Sequence, residues 1–324
     1  MSADGPTSAP LCPVTGEPAV RRVQWVDARW LAALWRIQFR TDPRPSFRGA
    51  TRFGLWESPT GLHFFDPMRA GDAAFYARFY RNRAMRAYLR EPDRGEFGLA
   101  ADAITGTLGP GARVLDVGCG FGTVRHRLRD ARYTGLDPHF AGDPRENPWA
   151  RAESLEDHLR GHAGAYDAAC AFQVLEHVED PAGLMRGMAR AVRPGGLVIV
   201  GVPHVPSACT RVPNWLTNAV PHHLTWWTHA ALGALARRCG LVDPVVRPSP
   251  WARSDVFVYW LDRFSLVTAR ERHYRHHAGW YAASLAALLP AYAASRTMPL
   301  PAPGSDEGVS LLLVARRPEI EPTP

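Results

Sequence analysis

The ten residues Val114–Thr123 (VLDVGCGFGT) constrain the fold more than any other stretch of the chain. The stretch opens with an apolar run that is rich in β-branched residues and lacks polar alternation, which predicts a buried parallel strand. Gly118, Gly120 and Gly122 follow, and glycine allows a sharp turn and close approach of the backbone to a ligand. We predict a helix over Val124–Asp130, whose free amides would point at that ligand. Together these features predict a nucleotide-type cofactor site.

Strands and helices alternate through the middle of the chain. The predicted strands are Arg113–Val117, Arg132–Leu136, Pro148–Ala152, Tyr166–Phe172, Leu197–Val202, Leu241–Val246 and Val309–Ala315. The predicted helices are Asp72–Leu89, Phe97–Leu108, Pro181–Val192 and one that is capped by Thr228 and stops at Cys239-Gly240. This alternation predicts an α/β fold with an open, mainly parallel sheet covered by helices on both faces.

The segments outside this core differ from it in composition. Residues 1–20 are polar and predict a disordered tail, residues 21–71 form an aromatic-rich extension, and residues 72–318 form the main domain with an insertion at 247–303 and a tail at 319–324. Leu11–Gly16 and Trp56–Leu62 have the outline of two zinc-ribbon knuckles. Only Cys12 of the four expected thiolates is present, so we predict a degenerate ribbon without metal.

Composition excludes several classes of protein. The net charge is +7 and all 38 basic residues are arginine, but they are scattered, which argues against a nucleic-acid partner. Five widely spaced cysteines and the lack of a signal-peptide pattern predict reduced thiols in the cytoplasm. The apolar stretch Tyr281–Ala294 is too short to span a bilayer and is broken by Pro290, so we expect no membrane partner.

The spacing of the glycines separates two kinds of cofactor. A dinucleotide-binding turn has the pattern G-x-G-x-x-G, which would require a third glycine at position 123. That position is Thr123, and the third glycine is Gly122. The spacing therefore favours a ligand without a pyrophosphate.

Four stretches in order resemble the class I methyltransferases that depend on S-adenosylmethionine. Val114–Thr123 resembles motif I of that family, Tyr133–Pro138 its second strand, Tyr166–Val178 its fourth strand and following turn, and Val192–Leu197 the turn into its fifth strand. The resemblance implies a Rossmann-like, doubly wound sheet of seven strands, and S-adenosylmethionine as cofactor.

The resemblance also assigns cofactor contacts. It places Gly118, Gly120 and Gly122 under the methionine part, Asp116 behind that turn, Asp137 at the ribose, the carbonyls near Phe172 and Gln173 at the amino group, and Ala152 and Glu153 at the adenine. A carboxylate at the end of a strand can accept two hydrogen bonds from a vicinal diol, which supports the role of Asp137.

Methyl transfer requires alignment and, for some acceptors, removal of a proton. Candidate bases are His177, His204 and the pair His222-His223, since a histidine can accept a proton at neutral pH. Packing at the start of the next helix is the alternative role for either member of the pair. The ubiquinone-pathway O-methyltransferases, which the core resembles, can carry Glu-x-x-Glu-His, and some bind a divalent ion there. Because Gln173 replaces the first carboxylate, we predict no metal, and Glu176-His177 shaping the pocket.

We expect O-methylation of a small-molecule acceptor, with the aromatic segments 21–66 and 250–281 forming a lid and an acceptor pocket. The alternatives are methylation at nitrogen or carbon, a NAD-linked oxidoreductase, and a catalytically silent protein that binds cofactor or a partner. We read the His273–His277 stretch as a solvated face or a weak substrate contact. The acceptor, the pathway and the oligomeric state stay open.

Overall fold

A computed structural model describes residues 9–140, 142–302 and 308–319. The strands are β1 (Arg21–Asp27), β2 (Arg52–Glu57), β3 (His63–Asp66), β4 (Arg113–Val117), β5 (Arg132–Leu136), β6 (Ala150–Arg151), β7 (Tyr166–Phe172), β8 (Val192–Pro203), β9 (Thr225–Trp226), β10 (Val242–Pro248) and β11 (Ser310–Arg316). The helices are α1 (Ala28–Phe39), α2 (Arg44–Phe47), α3 (Ala73–Phe79), α4 (Arg83–Leu89), α5 (Gly95–Leu108), α6 (Leu155–His162), α7 (Pro181–Ala191), α8 (Ala208–Arg211), α9 (His229–Arg238), α10 (Val256–Phe264) and α11 (Ala278–Thr297).

The central sheet has seven strands in the order β6-β5-β4-β7-β8-β11-β10. The first five are parallel, and β11 runs antiparallel to both of its neighbours. One face packs against α7 and α9 through buried side chains that include Met188 and Leu235, and the other packs against α5 through Phe97 and Ile104. The predicted doubly wound α/β fold is confirmed, because both faces of the sheet need apolar cover and the helices supply it.

The aromatic-rich extension belongs to a second sheet, and this sheet joins it to the main domain. The strand order is β1-β2-β3-β9, and all three pairings are antiparallel. Its last strand comes from beyond residue 72, and the buried Trp35 indole donates a hydrogen bond to the Val220 carbonyl at 3.0 Å. The predicted boundary at 71/72 is therefore a boundary in the sequence and not between two separately packed cores.

The chain is ordered from residue 9, inside the segment 1–20 that was predicted to be a disordered tail. Residues 9–20 form a turn in which Leu11 pairs with Pro18, and Cys12 and Val14 are each 2% exposed. Burial of these two side chains against α9 stabilises the turn, so the disorder predicted for this part is wrong. Residues 1–8 of the predicted tail lie outside the described residues.

Three predicted segments differ in the structure. The helix predicted over Asp72–Leu89 is interrupted at 80–82, where the Asn82 side chain caps α4 by accepting from the Ala84 amide at 3.0 Å. The insertion is more regular than predicted, because α10 and α11 pack together and α11 continues through Pro290. Within His273–His277, Tyr274 is 3% exposed, whereas Arg275, His276 and His277 are exposed, so the solvated face predicted here holds for the second half of the stretch.

Membrane insertion finds no support in the described part of the chain. None of its helices combines the length and the hydropathy that spanning a bilayer requires. Residues 303–307, which include the last residue of the predicted insertion, and most of the predicted tail, 320–324, lie outside the described residues.

Thr228 joins α9 to the N-terminal sheet, and its removal should have a modest effect. Its hydroxyl accepts from the Ala231 amide at 3.2 Å and donates to the Thr60 carbonyl at 3.3 Å. We expect Thr228→Ala to lower the free energy of unfolding by about 1 kcal/mol, the usual cost of losing an N-cap. Thr228→Ser keeps the hydroxyl and should retain most of this stability. Urea denaturation of both variants makes the comparison, and equal losses would show that the hydroxyl contributes nothing.

Candidate active site

The glycine turn, Gly118–Gly122, follows β4 and needs glycine at both of its ends. Gly118 has φ +72° and Gly122 has φ +64°, in the left-handed region that side chains other than glycine disfavour. A Cβ on Gly118 would lie 2.5 Å from Cγ2 of Val174, and one on Gly122 would lie 2.4 Å from the Trp149 ring. Packing from the segment after β7 and from the segment before β6 therefore sets the shape of the turn.

The middle glycine differs because it faces open space. A Cβ on Gly120 would meet no atom within 4 Å, and its amide donates to Oδ2 of Asp137 at 3.1 Å. The other carboxylate oxygen, Oδ1, accepts from the His139 amide at 2.8 Å. A carboxylate fixed beside an open backbone turn suits the ribose and methionine parts of S-adenosylmethionine, so these residues fit that cofactor.

No α-helix follows the glycine turn. The helix predicted over Val124–Asp130 is wrong: Thr123–His126 is a single 3₁₀ turn, and the chain then passes directly into the approach to β5. The hydroxyl of Thr123 donates to the Leu89 carbonyl at 2.9 Å and so holds the end of α4 on the turn. With one short 3₁₀ turn in place of a helix, the site lacks the macrodipole that favours a pyrophosphate.

Asp116 lies behind the turn and is 3% exposed. Its Oδ2 accepts from the Tyr133 hydroxyl, and the Cys170 thiol lies 3.7 Å from its Oδ1. Burial raises the pKa of Asp116 to about 7, against the opposing effect of these two hydrogen bonds. The support of the turn by Asp116, which the resemblance implies, stays a prediction.

At the end of β7, Gln173 has the left-handed φ of +56°. A residue other than glycine held in this region is strained, and such strain is concentrated at functional sites. Its side chain points to Glu96 Oε1 (3.4 Å) and Ser310 Oγ (3.3 Å), while the Phe172 ring packs on Phe97. The predicted contacts of Phe172 and Gln173 with the cofactor amino group stay predictions about their carbonyls.

Glu153, predicted near the adenine, is engaged elsewhere. Its Oε1 lies 2.8 Å from Nδ1 of His158, whose Nε2 lies 2.7 Å from the Tyr166 hydroxyl. This chain of hydrogen bonds turns the carboxylate towards α6. The predicted contact of Glu153 with adenine stays a prediction, and the pairing with His158 argues against it.

The structure brings His177, His222 and His223 together, and we call these three the histidine cluster. The ring centroids are 4.5 Å apart for His177 and His222, 4.8 Å for His177 and His223, and 4.5 Å for the stacked pair His222 and His223. Two loops meet here, because the Leu224 amide donates to the Glu176 carbonyl at 2.7 Å. Burial lowers the pKa of His177 to about 4 and those of the other two well below the usual value. All three imidazoles are therefore uncharged at neutral pH.

Glu176 is fully buried beside the histidine cluster. Its Oε1 lies 3.7 Å from Nε2 of His177 and 3.9 Å from Nε2 of His223, and in the described part of the chain neither carboxyl oxygen has a hydrogen-bond partner. Burial raises the pKa of Glu176 to about 8. A carboxyl group in this state is costly to bury, and such groups are concentrated at functional sites.

Two tyrosines connect the histidine cluster with the glycine turn. The Tyr76 hydroxyl lies 3.4 Å from Nδ1 of His177, and the Tyr76 and Tyr80 rings stack at 5.6 Å. Burial raises the pKa of Tyr80, with contributions from the charges of Glu176 and Asp137. These aromatic side chains at the start of the main domain form a wall beside the histidine cluster.

Sequence reasoning missed three residues of the site and misplaced one. Trp149, Tyr76 and Tyr80 line the site. The sequence signal for the two tyrosines is the group of aromatic residues that precedes motif I. His204 is not in the histidine cluster, because its Nδ1 lies 3.2 Å from the Gly308 carbonyl and its ring contacts His229. The structure therefore does not bring His204 together with the other candidate bases, and its role as a base stays a prediction.

The core of the chain is similar to known methyltransferases. A family model described as a methyltransferase domain matches residues 76–243, just over half of the chain. The curated ubiquinone biosynthesis O-methyltransferase of Sodalis glossinidius is 38% identical over 101 residues, which cover 27% of this chain and 40% of that protein. The Escherichia coli K12 protein of the same name is 37% identical over 99 residues, covering 26% and 40%. The chain thus spans about two fifths of the length of these curated relatives.

Solved structures share the fold only weakly. A methyltransferase from Thermotoga maritima, described as a possible histamine N-methyltransferase, is 18% identical with a TM-score of 0.44, covering 75% of this chain and 94% of that one. The family match rests on the core that carries the glycine turn, Asp137 and the histidine cluster. The chain belongs to the methyltransferase-domain family, as an enzyme of the class that uses S-adenosylmethionine.

Proposed function

We propose that the chain transfers a methyl group from S-adenosylmethionine to an oxygen atom of a small-molecule acceptor. The observation that carries this proposal is the meeting of three uncharged imidazoles beside Glu176, close to the glycine turn. An alcohol or phenol must lose a proton as its oxygen is methylated, whereas an amine can react through its lone pair. The similarity to ubiquinone biosynthesis O-methyltransferases over the core supports the same acceptor atom.

The cofactor and the acceptor would be bound by different halves of the site. Gly118, Gly120 and Asp137 would hold the cofactor, with Asp116 supporting the turn. When bound, S-adenosylmethionine supplies a methyl group that is already activated by its sulfonium. The protein then has to position the acceptor and exclude water, for which the aromatic wall of α3 is suited.

The histidine cluster would take the acceptor proton in the metal-free enzyme. The Nδ1 atoms of His177 and His222 face the carbonyls of His222 and Thr217, so both carry hydrogen and leave Nε2 as the acceptor. No carbonyl partner fixes the tautomer of His223 among the contacts described. We propose His177 and His223 as the bases, since both approach Glu176.

The proposal is tested with a panel of phenols, alcohols and amines, and the methylated atom is identified by mass spectrometry and NMR. We expect O-methylated product, and we expect His223→Gln to lower kcat by about 100-fold, the low end for loss of a general base. The control is His126→Gln, an exposed histidine outside the cluster. Product methylated only at nitrogen or carbon would contradict the proposal, as would tight NAD(H) binding without binding of S-adenosylhomocysteine. Cofactor binding without turnover on any acceptor would favour a silent protein.

The N-terminal turns support the proposal of a degenerate ribbon. The amides of Val14 and Thr15 point to Sγ of Cys12 at 3.4 and 3.5 Å, and Ser58 Oγ accepts from the Leu62 amide at 3.2 Å. Sulfur and hydroxyl thus occupy similar positions in the two turns. We propose that hydrogen bonds and packing replace the metal here.

A further inference from the structure

We infer that the histidine cluster together with Glu176 is a binding site for one divalent transition-metal ion of the zinc type. One ligand nitrogen from each of His177, His222 and His223 lies within 4.8 Å of the other two. Roughly tetrahedral ligands 2.0–2.2 Å from an ion are about 3.3 Å apart. Side-chain movements of about 1 Å would therefore bring the three nitrogens onto one ion.

The backbone already orients two of the imidazoles as ligands. Nδ1 of His177 donates to the His222 carbonyl, and Nδ1 of His222 donates to the Thr217 carbonyl at 2.9 Å. Histidines that bind metals almost always donate their other ring N–H to a carbonyl or carboxylate, which fixes the tautomer. Both Nε2 atoms therefore present lone pairs, and the protein holds them in that state through its backbone.

Glu176 supplies the second, independent observation. Its carboxyl group is fully buried, both oxygens lack a hydrogen-bond partner among the described residues, and Oε1 lies 3.7 and 3.9 Å from two imidazoles. These distances are too long for hydrogen bonds, so the carboxyl group lies beside two imidazoles without bonding to either. A shared cation would resolve this arrangement, because it attracts the lone pairs of all four groups at once.

The donor set selects the class of ion. Three imidazole nitrogens and one carboxylate suit Zn²⁺ and its neighbours among the transition metals, whereas Mg²⁺ and Ca²⁺ prefer sets composed of oxygen. The expectation of no metal rested on Gln173, whose side chain turns away to Glu96 and Ser310. The nitrogen ligands come instead from the loop before α9, which joins His177 only in the folded chain.

Metal binding is measured directly on the full chain, purified without a histidine tag and stripped with EDTA. We expect one Zn²⁺ per chain by calorimetry and elemental analysis, and visible absorption from Co²⁺ bound in its place. Zn²⁺ should raise the Tm, because it binds only the folded state. Mg²⁺ should produce neither effect.

The variants His223→Gln and His222→Gln each remove one ligand but keep a polar side chain. We expect either to weaken Zn²⁺ binding by at least 10–100-fold, the range reported for loss of even an outer partner of a metal ligand. His126→Gln is the matched control and should bind as the wild type does. Circular dichroism establishes that each variant is folded before titration.

The outcomes separate this inference from the proposed function. Equal Zn²⁺ affinity in the wild type and in folded His223→Gln would overturn the metal site, and so would the absence of binding to the wild type. Zn²⁺ binding with methylation only at nitrogen or carbon would leave the metal site standing and overturn O-methylation. If the stripped, metal-free enzyme methylates oxygen at full rate, the histidines act as bases without the ion, and the bound ion has a structural role.

Discussion

Replacing Gly120 by Asn should abolish cofactor binding while leaving the fold intact. The φ of Gly120 is +50°, and Asn is one of the few residues that enter the left-handed region readily. A Cβ at this position meets no protein atom within 4 Å, so the added side chain extends into the space over the turn. If that space holds the cofactor, we expect the affinity for S-adenosylhomocysteine to fall by at least 1,000-fold, or about 4 kcal/mol.

Gly164 provides a matched control for this experiment. It has φ +68°, an added Cβ would also meet nothing within 4 Å, and it follows α6 away from the glycine turn. Gly164→Asn should therefore share any cost in stability but bind the cofactor normally. Calorimetric titration of both variants, with Tm measured alongside, makes the comparison. Normal affinity in Gly120→Asn would show that the cofactor does not lie over the middle of the turn.

Replacing Asp116 by Asn should make the protein more stable at high pH relative to wild type. The folded-state pKa of about 7 lies above the value of 3.8 for an unperturbed aspartate. The folded state therefore binds the proton more tightly, and wild-type stability is lost as pH rises from about 4 to about 7. At 1.36 kcal/mol per pKa unit, the loss reaches roughly 4 kcal/mol above pH 7. An Asn carbonyl still accepts from Tyr133 and carries no charge, so the variant avoids this loss.

Asp167 offers a comparison of opposite sign. Burial acts to raise its pKa, but hydrogen bonds from Arg113 and Arg193 outweigh burial and hold the pKa below the usual value. Asp167→Asn should therefore lose stability relative to wild type above about pH 4, with the difference vanishing as pH falls. Urea unfolding of wild type and both variants from pH 2 to pH 8 gives the two curves, with the Asp167→Asn difference shrinking below about pH 4 and the Asp116→Asn difference growing above it. A difference for Asp116→Asn that does not grow with pH would contradict the assignment of a neutral, buried carboxyl group.

Local patterns predicted the central sheet well, because its information is local. The strands Arg113–Val117, Arg132–Leu136 and Tyr166–Phe172 appear with the predicted bounds, and Asp72, Asp180 and Thr228 cap the helices assigned to them. Arg113–Val117 and Tyr166–Phe172 are short runs that are buried along most of their length, and each cap is a hydrogen bond within three residues. The helix predicted over Val124–Asp130 was wrong. A 3₁₀ turn and a short link to β5 already bury the side chains of Val124 and Leu128, so a helix is not needed to bury them.

The sequence by itself determined the succession of strands along the chain, the glycine turn and the acid after β5. Each of these depends on residues that are neighbours in the chain. Only the tertiary structure decided the other half of the site. His222 and His223 lie 45 and 46 positions beyond His177, and their meeting depends on how the loop before α9 packs on the loop after β7. Contacts at that separation depend on loop closure and burial of the whole core, which leave no periodic pattern in the sequence. The same packing strips water from Glu176 and the imidazoles, so their pKa values, and the cation we infer between them, arise only in the folded chain.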